Sequence, residues 1–153
     1  MSLLGSPAPT FTLTDNARQK VSLETFLGRK VVLMFYPAAF TGVCEKEACT
    51  FRDSMSELND LLATVLGVSV DSPFSNNAFS AKNNLNFPLL SDVTREVTHA
   101  YGVALHDFAG VAGLTVSKRA VFIVNEEGTV IYEWVGANPG IEPDYALVMA
   151  ALT

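Results

Sequence analysis

Cysteine and histidine are scarce in this chain, which contains two residues of each type. That count excludes a disulfide-rich scaffold and a zinc site built from four cysteines. No uncharged apolar run approaches the roughly 18 to 20 residues that cross a bilayer, and the first residues, MSLLGSPAPTFTL, lack the basic region of a secretory signal. We therefore expect no membrane partner and a cytoplasmic location, where a cysteine is either a small buried hydrophobe or a reagent.

Charge is also sparse. Asp, Glu, Lys and Arg make up 17% of the residues, against about 25% in an average soluble domain. The net charge of -6 argues against a nucleic-acid partner, which would require a basic surface for phosphates. With 49% apolar residues and a length of 153, the chain is expected to form a single domain over residues 1–153 rather than a disordered segment or a coiled coil.

Hydrophobic patterns predict alternating strands and helices. The run VVLMFY is unbroken, as in a strand buried on both faces. From Cys44 to Leu62 the apolar residues step by four and three, which predicts an amphipathic helix. The predicted strands are Thr10–Thr14, Val21–Leu23, Val31–Tyr36, Thr64–Val70, Arg119–Val124 and Thr129–Val135. The predicted helices are 44–62, Pro73–Asn84, Thr94–Tyr101 and Tyr145–Leu152.

The order of these elements predicts an α/β fold of three layers, with a central mixed sheet flanked by helices. Strand 31–36, helix 44–62 and strand 64–70 form a βαβ unit, which should be parallel and right-handed. The hairpin around Asn125–Gly128 adds antiparallel strands. Ligands of such sheets collect at the carboxyl ends of the parallel strands, beside helix N-termini. The loop from Pro37 to Cys44 lies there and is the first place to look for chemistry.

Cys44 begins the predicted helix. Its first N–H groups lack intrahelical partners and the helix dipole is positive at that end, so both stabilise a thiolate. Cys44 is also in phase with Ala48 and Phe51, so the pattern equally allows a plain core residue.

Cys49 follows five residues later on the same predicted helix. Helix geometry places its Cα over 8 Å from that of Cys44, whereas a disulfide needs about 4.4–6.8 Å. The two cysteines therefore cannot bridge while the helix is intact, and they do not form the C-x-x-C of a dithiol oxidoreductase. Cys49 is either inert or reactive only after local unwinding.

Arg119 precedes the apolar run AVFIV. If that strand is antiparallel to 31–36, Arg119 lies at the edge where Cys44 begins its helix. A guanidinium there would stabilise the thiolate and offer donors to a polar ligand. The alternative is a solvated strand end paired with a glutamate.

The segment YPAAFTGVCEKEACTFRD resembles the P-x-x-x-T-x-x-C motif of the peroxiredoxins, with Pro37, Thr41 and Cys44 at its three positions. Arg119 matches the distant arginine of that family, and Glu47 matches a residue that commonly holds it. The resemblance extends through the segments GSPAPTFTLTD, GVSVDSPFSNNAF, FPLLSD and RAVFIVNEEGTV. The spacing of Cys44 and Cys49 is similar to the peroxiredoxin Q (bacterioferritin comigratory protein) pattern, and the short chain is similar to the alkyl hydroperoxide reductase E subgroup.

The resemblance implies a thioredoxin-like fold and a peroxidase that needs no metal or bound cofactor. The Cys44 thiolate would attack a hydroperoxide, hydrogen peroxide or an organic one, and become a sulfenic acid. Arg119, the Thr41 hydroxyl and the N–H groups of Val43 and Cys44 would donate to the leaving oxygen. Pro37 would shield the thiolate from water.

The resemblance also suggests partners. Phe40 would line the entrance or a dimer contact, and a homodimer is expected through surfaces near Phe40, Phe74 and Phe79. A thioredoxin-like protein or another thiol would supply electrons. Cys49 is the candidate resolving cysteine; the alternative is a one-cysteine cycle in which an external thiol reduces Cys44.

Two other functions fit the same fold. A thiol–disulfide oxidoreductase is disfavoured by the missing C-x-x-C. A redox sensor or holdase would use oxidation of Cys44 as a switch without turnover, and consumption of peroxide in excess over the protein separates it from an enzyme.

Overall fold

The apolar run that begins at Lys30 forms a strand at the centre of the sheet, because neighbouring strands and layers on both faces exclude water from it. In the computed structural model, which describes residues 2–153, residues 31–35 are fully buried. This strand pairs in parallel with the strand Ala63–Ser69 and antiparallel with Ala120–Val124. Both pairings confirm the predicted topology.

Nine strands and five α-helices are present among the described residues. The strands are β1 (Thr12–Asp15), β2 (Lys20–Ser22), β3 (Lys30–Phe35), β4 (Ala63–Ser69), β5 (Leu89–Ser91), β6 (Ala104–Leu105), β7 (Val116–Ser117), β8 (Ala120–Val124) and β9 (Val130–Val135). The helices are α1 (Gly42–Asp53), α2 (Met55–Asp60), α3 (Pro73–Asn83), α4 (Glu96–Ala100) and α5 (Tyr145–Ala151). Short 3₁₀ turns occupy Leu23–Phe26 and Phe108–Gly110.

The main sheet has the order β2-β1-β5-β4-β3-β8-β9, and β6 pairs with β7 separately. Alternate residues of β3 enter two cores, as the period of two in a strand requires. Leu33 and Phe35 pack with Tyr101, which follows α4, on one face. Val32 and Met34 face the other core, to which α1, α2, α3 and α5 contribute. The predicted three-layer α/β architecture is therefore confirmed.

Three features differ from the sequence-based expectations. The predicted helix 44–62 is two helices, because α1 ends at Asp53 and Ser54 turns its hydroxyl back onto the Thr50 carbonyl (2.9 Å) before α2 begins. Phe79, expected near a dimer surface, is fully buried within α3. Strands β5, β6 and β7 were not predicted, since runs of two or three residues are too short to show a period.

The pairing of β3 with β8 determines where the candidate site forms. Phe35, at the end of β3, lies opposite Ala120, at the start of β8. Arg119 therefore reaches the edge of the sheet at which the loop to α1 leaves β3. None of the helices formed by residues 2–153 combines the length and apolar character of a membrane span.

Candidate active site

Cys44 is the third residue of α1 and lies in the core under the sheet edge. Only 1% of the residue is exposed, and it packs in the same cluster as Ala48 and Phe51. The first helix-type hydrogen bond of α1 runs from the N–H of Glu45 to the carbonyl of Thr41 (3.0 Å). The N–H groups of Val43 and Cys44 precede that bond, in the turn where a helix provides no acceptor. Cys44 thus belongs to both the core and the helix N-terminus.

Arg119 is the principal polar neighbour of this thiol. Its side chain is only 2% exposed, and Nη2 donates to Cys44 Sγ over 3.2 Å. Nη1 donates to Glu47 Oε1 at 2.9 Å, and the Pro139 carbonyl accepts from Nε (3.1 Å) and Nη2 (2.9 Å). The alternative of a solvated strand end is therefore wrong. The planar guanidinium is fixed by Glu47 and Pro139 while it holds the sulfur.

Glu47 lies three residues after Cys44, on the same face of α1. The residue is fully buried, and its second oxygen, Oε2, has no hydrogen-bond partner among the described residues. Burial raises the pKa of Glu47 to about 8, against the attraction of Arg119, which lowers it. Burial therefore favours the protonated carboxyl group, and the charge beside Arg119 depends on pH.

The loop between β3 and α1 is held by its own backbone and by β4. Pro37 is buried directly after β3 and Tyr36. The Thr41 hydroxyl donates its hydrogen to the Ala38 carbonyl at 2.8 Å. It therefore does not donate to a ligand, as the sequence suggested, but its oxygen can still accept a hydrogen bond. Asp71, which follows β4, accepts from the N–H of Ala39 at 2.9 Å and fixes the middle of the loop.

Two further predicted residues lie beside this centre. Phe40 has a positive φ of 66° and is 48% exposed, with its ring edge-on to Phe79 at 5.4 Å between centroids. Cys49 lies on α1 as expected, partly buried, and its Sγ lies 3.6 Å from Asn83 Oδ1. Both cysteines are free thiols in one continuous helix, so the geometric bar to a direct bond between them applies.

Three residues that the sequence did not single out contribute to the site: Pro139, Gly136 and Asn76. The backbone carbonyl of Pro139 positions Arg119, a role that no side-chain pattern encodes. Gly136 donates to the Arg119 carbonyl at 2.8 Å, and a Cβ there would lie 3.1 Å from Trp134 and 3.3 Å from that carbonyl. The Tyr36 hydroxyl donates to Asn76 Oδ1 of α3 at 2.7 Å. Burial keeps the pKa of Tyr36 well above 10.0, so this group stays a neutral donor.

A thiol that accepts a hydrogen bond from a buried guanidinium, beside free helix N–H groups, suits a nucleophile whose negative charge needs stabilisation. Among residues 2–153 no group of three or more histidine, cysteine or acidic side chains is placed to hold a metal ion. The fold and this site define a thiol-based oxidoreductase with a thioredoxin-like architecture.

Comparison with known proteins gives the family. Residues 4–133 match the model of the AhpC/TSA family. A putative peroxiredoxin of Synechocystis is 41% identical over 142 residues, covering 86% of this chain and 68% of its own. The putative peroxiredoxin bcp of Coxiella burnetii is 39% identical over 131 residues, covering 86% and 87%. The crystal structure of peroxidoxin BcpB from Mycobacterium tuberculosis superposes with a TM-score of 0.86 at 28% identity, covering 99% of this chain and 97% of that chain.

The chain belongs to the AhpC/TSA family and is a peroxiredoxin. It is accordingly a thiol-dependent peroxidase, which reduces hydroperoxides at the expense of a thiol reductant. The expectation of an enzyme drawn from the motif is confirmed.

Proposed function

We propose that Cys44 is the peroxidatic cysteine and that Arg119 is the group that activates it. The observation that carries the proposal is the 3.2 Å contact between Arg119 Nη2 and Cys44 Sγ in a site closed to water. A guanidinium keeps its charge at any pH at which the protein folds. It therefore favours the thiolate over the thiol, and in a low dielectric its attraction is stronger than at a surface.

In the proposed reaction the Cys44 thiolate attacks the terminal oxygen of a hydroperoxide. A sulfur–oxygen bond forms, the oxygen–oxygen bond breaks, and the leaving oxygen departs with the bonding pair. It takes up a proton to give water or an alcohol, and Cys44 becomes a sulfenic acid. The sulfur is oxidised by two electrons and the peroxide is reduced by two.

The remaining groups orient the peroxide. The N–H groups of Val43 and Cys44 and the Nη1 N–H of Arg119 that Glu47 does not use supply donors for the charge that grows on the leaving oxygen. Thr41 acts as an acceptor, because its own hydrogen is used by Ala38; its lone pairs receive the O–H of the hydroperoxide. Pro37, buried at the base of the loop, keeps water away.

Glu47 and Phe40 complete the proposed site. Glu47 orients Arg119 through the 2.9 Å hydrogen bond that its Oε1 accepts from Nη1, so that the guanidinium plane meets the sulfur rather than solvent. The half-exposed ring of Phe40 lines the entrance of the site, where it would contact the organic part of a hydroperoxide.

We further propose that Cys49 resolves the sulfenic acid. Its thiol attacks Cys44 Sγ, a disulfide forms, and the sulfenic oxygen leaves as water. This step needs the first turns of α1 to unwind, because the intact helix holds the two Cα atoms too far apart. Helix ends open at low free-energy cost. A dithiol such as a thioredoxin-like protein then reduces the disulfide and returns both thiols.

The test compares two matched serine variants after one equivalent of hydrogen peroxide, with and without a thiol trap. Cys44→Ser should lose all peroxide reduction, while Cys49→Ser should form sulfenic acid at the wild-type rate. The wild-type protein should lose two hydrogen atoms in mass and both free thiols. If it instead gains one oxygen atom and keeps one free thiol, the one-cysteine cycle is correct. If Cys49→Ser alone stops sulfenic acid formation, the two roles are reversed.

We also propose that the chain, a single domain over residues 1–153, works in the cytoplasm as a homodimer. Phe40 and Phe74 support an interface because both are apolar and exposed, at 48% and 68%, whereas Phe79 is buried and takes no part. Light scattering at high concentration tests this assembly, and a monomeric mass would refute it.

A further inference from the structure

Lys82, near the end of α3, contacts both sides of the active-site cysteine. Its Nζ donates to Glu45 Oε1 at 2.8 Å, and Glu45 directly follows Cys44 in the first turn of α1. The same ammonium lies 5.7 Å from the centroid of the Phe40 ring, at cation–π distance. One side chain of α3 thus holds the loop before Cys44 and the helical residue after it.

The contact with Glu45 is polar and partly open to solvent. The side chain of Lys82 is 59% exposed and that of Glu45 is 28% exposed. The hydrogen bond from Lys82 lowers the pKa of Glu45, so this carboxylate is ionised throughout the neutral range. Such a pair is weak and is screened by salt, so it can open and close during turnover.

Other contacts join α1 to α3 further along both helices. Arg52 Nη1 donates to the Asn83 carbonyl at 2.6 Å, and Cys49 Sγ lies 3.6 Å from the Asn83 side chain. These contacts hold the second half of α1, around Cys49. The first turn, around Cys44, is held to α3 by Lys82. Arg119 also holds Cys44 through its bond to the sulfur, so the first turn unwinds when the Lys82 and Arg119 contacts both open, while the contacts around Cys49 remain.

The backbone of Phe40 favours such opening. Its φ of 66° lies in the left-handed region, which is unfavourable for a residue with a side chain. Packing of the ring on Phe79 and Lys82 maintains that conformation in the closed site. Release of Lys82 removes one of these supports and leaves the strained residue free to relax.

We propose that Lys82 is a positioning residue that fastens the first turn of α1 to α3, and that its release governs how fast oxidised Cys44 reaches Cys49. The second half of this statement rests on the proposed role of Cys49. An exposed ion pair and an exposed cation–π contact together restrain opening by a factor of about 3 to 10. A fastened turn protects the geometry for peroxide attack and prolongs the sulfenic acid. The same contact therefore balances fast attack against over-oxidation of Cys44 to sulfinic acid.

The test uses Lys82→Met, which keeps the aliphatic stem and removes the charge, with Lys82→Arg as the conservative variant. Lys20→Met, at an exposed lysine of β2, is the matched control. Single-turnover reactions with one equivalent of hydrogen peroxide, quenched and read by mass spectrometry, separate sulfenic acid formation from disulfide formation. Hydrogen exchange of the reduced protein measures opening of the amides from Val43 to Cys49 directly.

Lys82→Met should form the disulfide about 3 to 10 times faster than wild type, with less sulfinic acid under excess peroxide, and its first-turn amides should exchange faster by the same factor. High salt should raise the rate of disulfide formation in the wild-type protein toward that of Lys82→Met. The rate in Lys82→Met itself should not change with salt. Lys82→Arg and Lys20→Met should behave as wild type. Unchanged amide exchange in Lys82→Met would overturn the fastening role, and faster exchange with an unchanged disulfide rate would overturn the control of resolution. If wild type forms no disulfide at all, the role of Cys49 fails and with it the control of resolution, while amide exchange still decides the fastening role.

Discussion

Replacing Arg119 by alanine removes the only side-chain donor that the structure places on Cys44 Sγ among the described residues. The variant loses four hydrogen bonds, one to the sulfur, one to Glu47 and two to the Pro139 carbonyl. Loss of one donor aimed at developing charge typically lowers a rate constant by about 10²–10³. We expect the second-order rate constant for peroxide to fall by that factor.

The same variant should be less stable, by an amount that depends on pH. Removing one partner of a buried ion pair costs about 3–5 kcal/mol when the other stays charged. Glu47 has a pKa of about 8 even beside Arg119. When it is protonated, no charge is left buried without a partner, and most of this cost does not arise. The loss of stability should therefore be smaller below pH 8 than above it.

Stopped-flow fluorescence of Trp134, the single tryptophan, can follow the peroxide step. Trp134 lies on β9, which pairs with β8, the strand that begins directly after Arg119. Urea unfolding at several pH values measures stability. Arg29→Ala, at an exposed arginine, is the control, and Arg119→Lys should recover part of the rate because it retains the charge without the planar fork. A folded Arg119→Ala protein that reacts at the wild-type rate would refute the assigned role of Arg119.

Two further predictions concern stability. The pKa of Glu47 is raised from 4.5 in the unfolded chain to about 8 in the folded protein, so the folded state holds an extra proton between these values and the free energy of unfolding falls as pH rises through that window. Glu47→Gln, which cannot titrate, should flatten this dependence in urea unfolding; an unchanged slope would assign the titration to another group. Gly67→Ala should destabilise the protein by about 1–3 kcal/mol, since its Cβ would lie 2.6 Å from Leu89 Cδ2 in the core. Gly42→Ala, with no neighbouring atom within 4 Å, should keep wild-type stability in the same thermal melts, and equal stability of the two variants would contradict the packing of Gly67.

Periodicity located most elements because it reports burial directly. The unbroken apolar run of β3 and the four–three stepping of α1 each reflect which faces meet the core. The break at Ser54 was missed because the apolar stripe continues in phase through Met55 and Leu58 on α2. Strand β5 was missed because a strand of three residues carries no measurable period.

The sequence alone identified Cys44 as the cysteine to examine, because its position after a buried strand and at the start of a helix follows from the local pattern. It left Arg119 with two possible surroundings, because the contact with Cys44 spans 75 positions of the chain and depends on the register of β8 against β3. Only the tertiary structure decided that the guanidinium is buried, that Glu47 and a backbone carbonyl at Pro139 hold it, and that Lys82 lies over Phe40. Local pattern encodes which face of an element is apolar. Which side chains from distant elements meet at a sheet edge depends on strand register and on how the helices pack on the sheet, and these exist only in the folded chain.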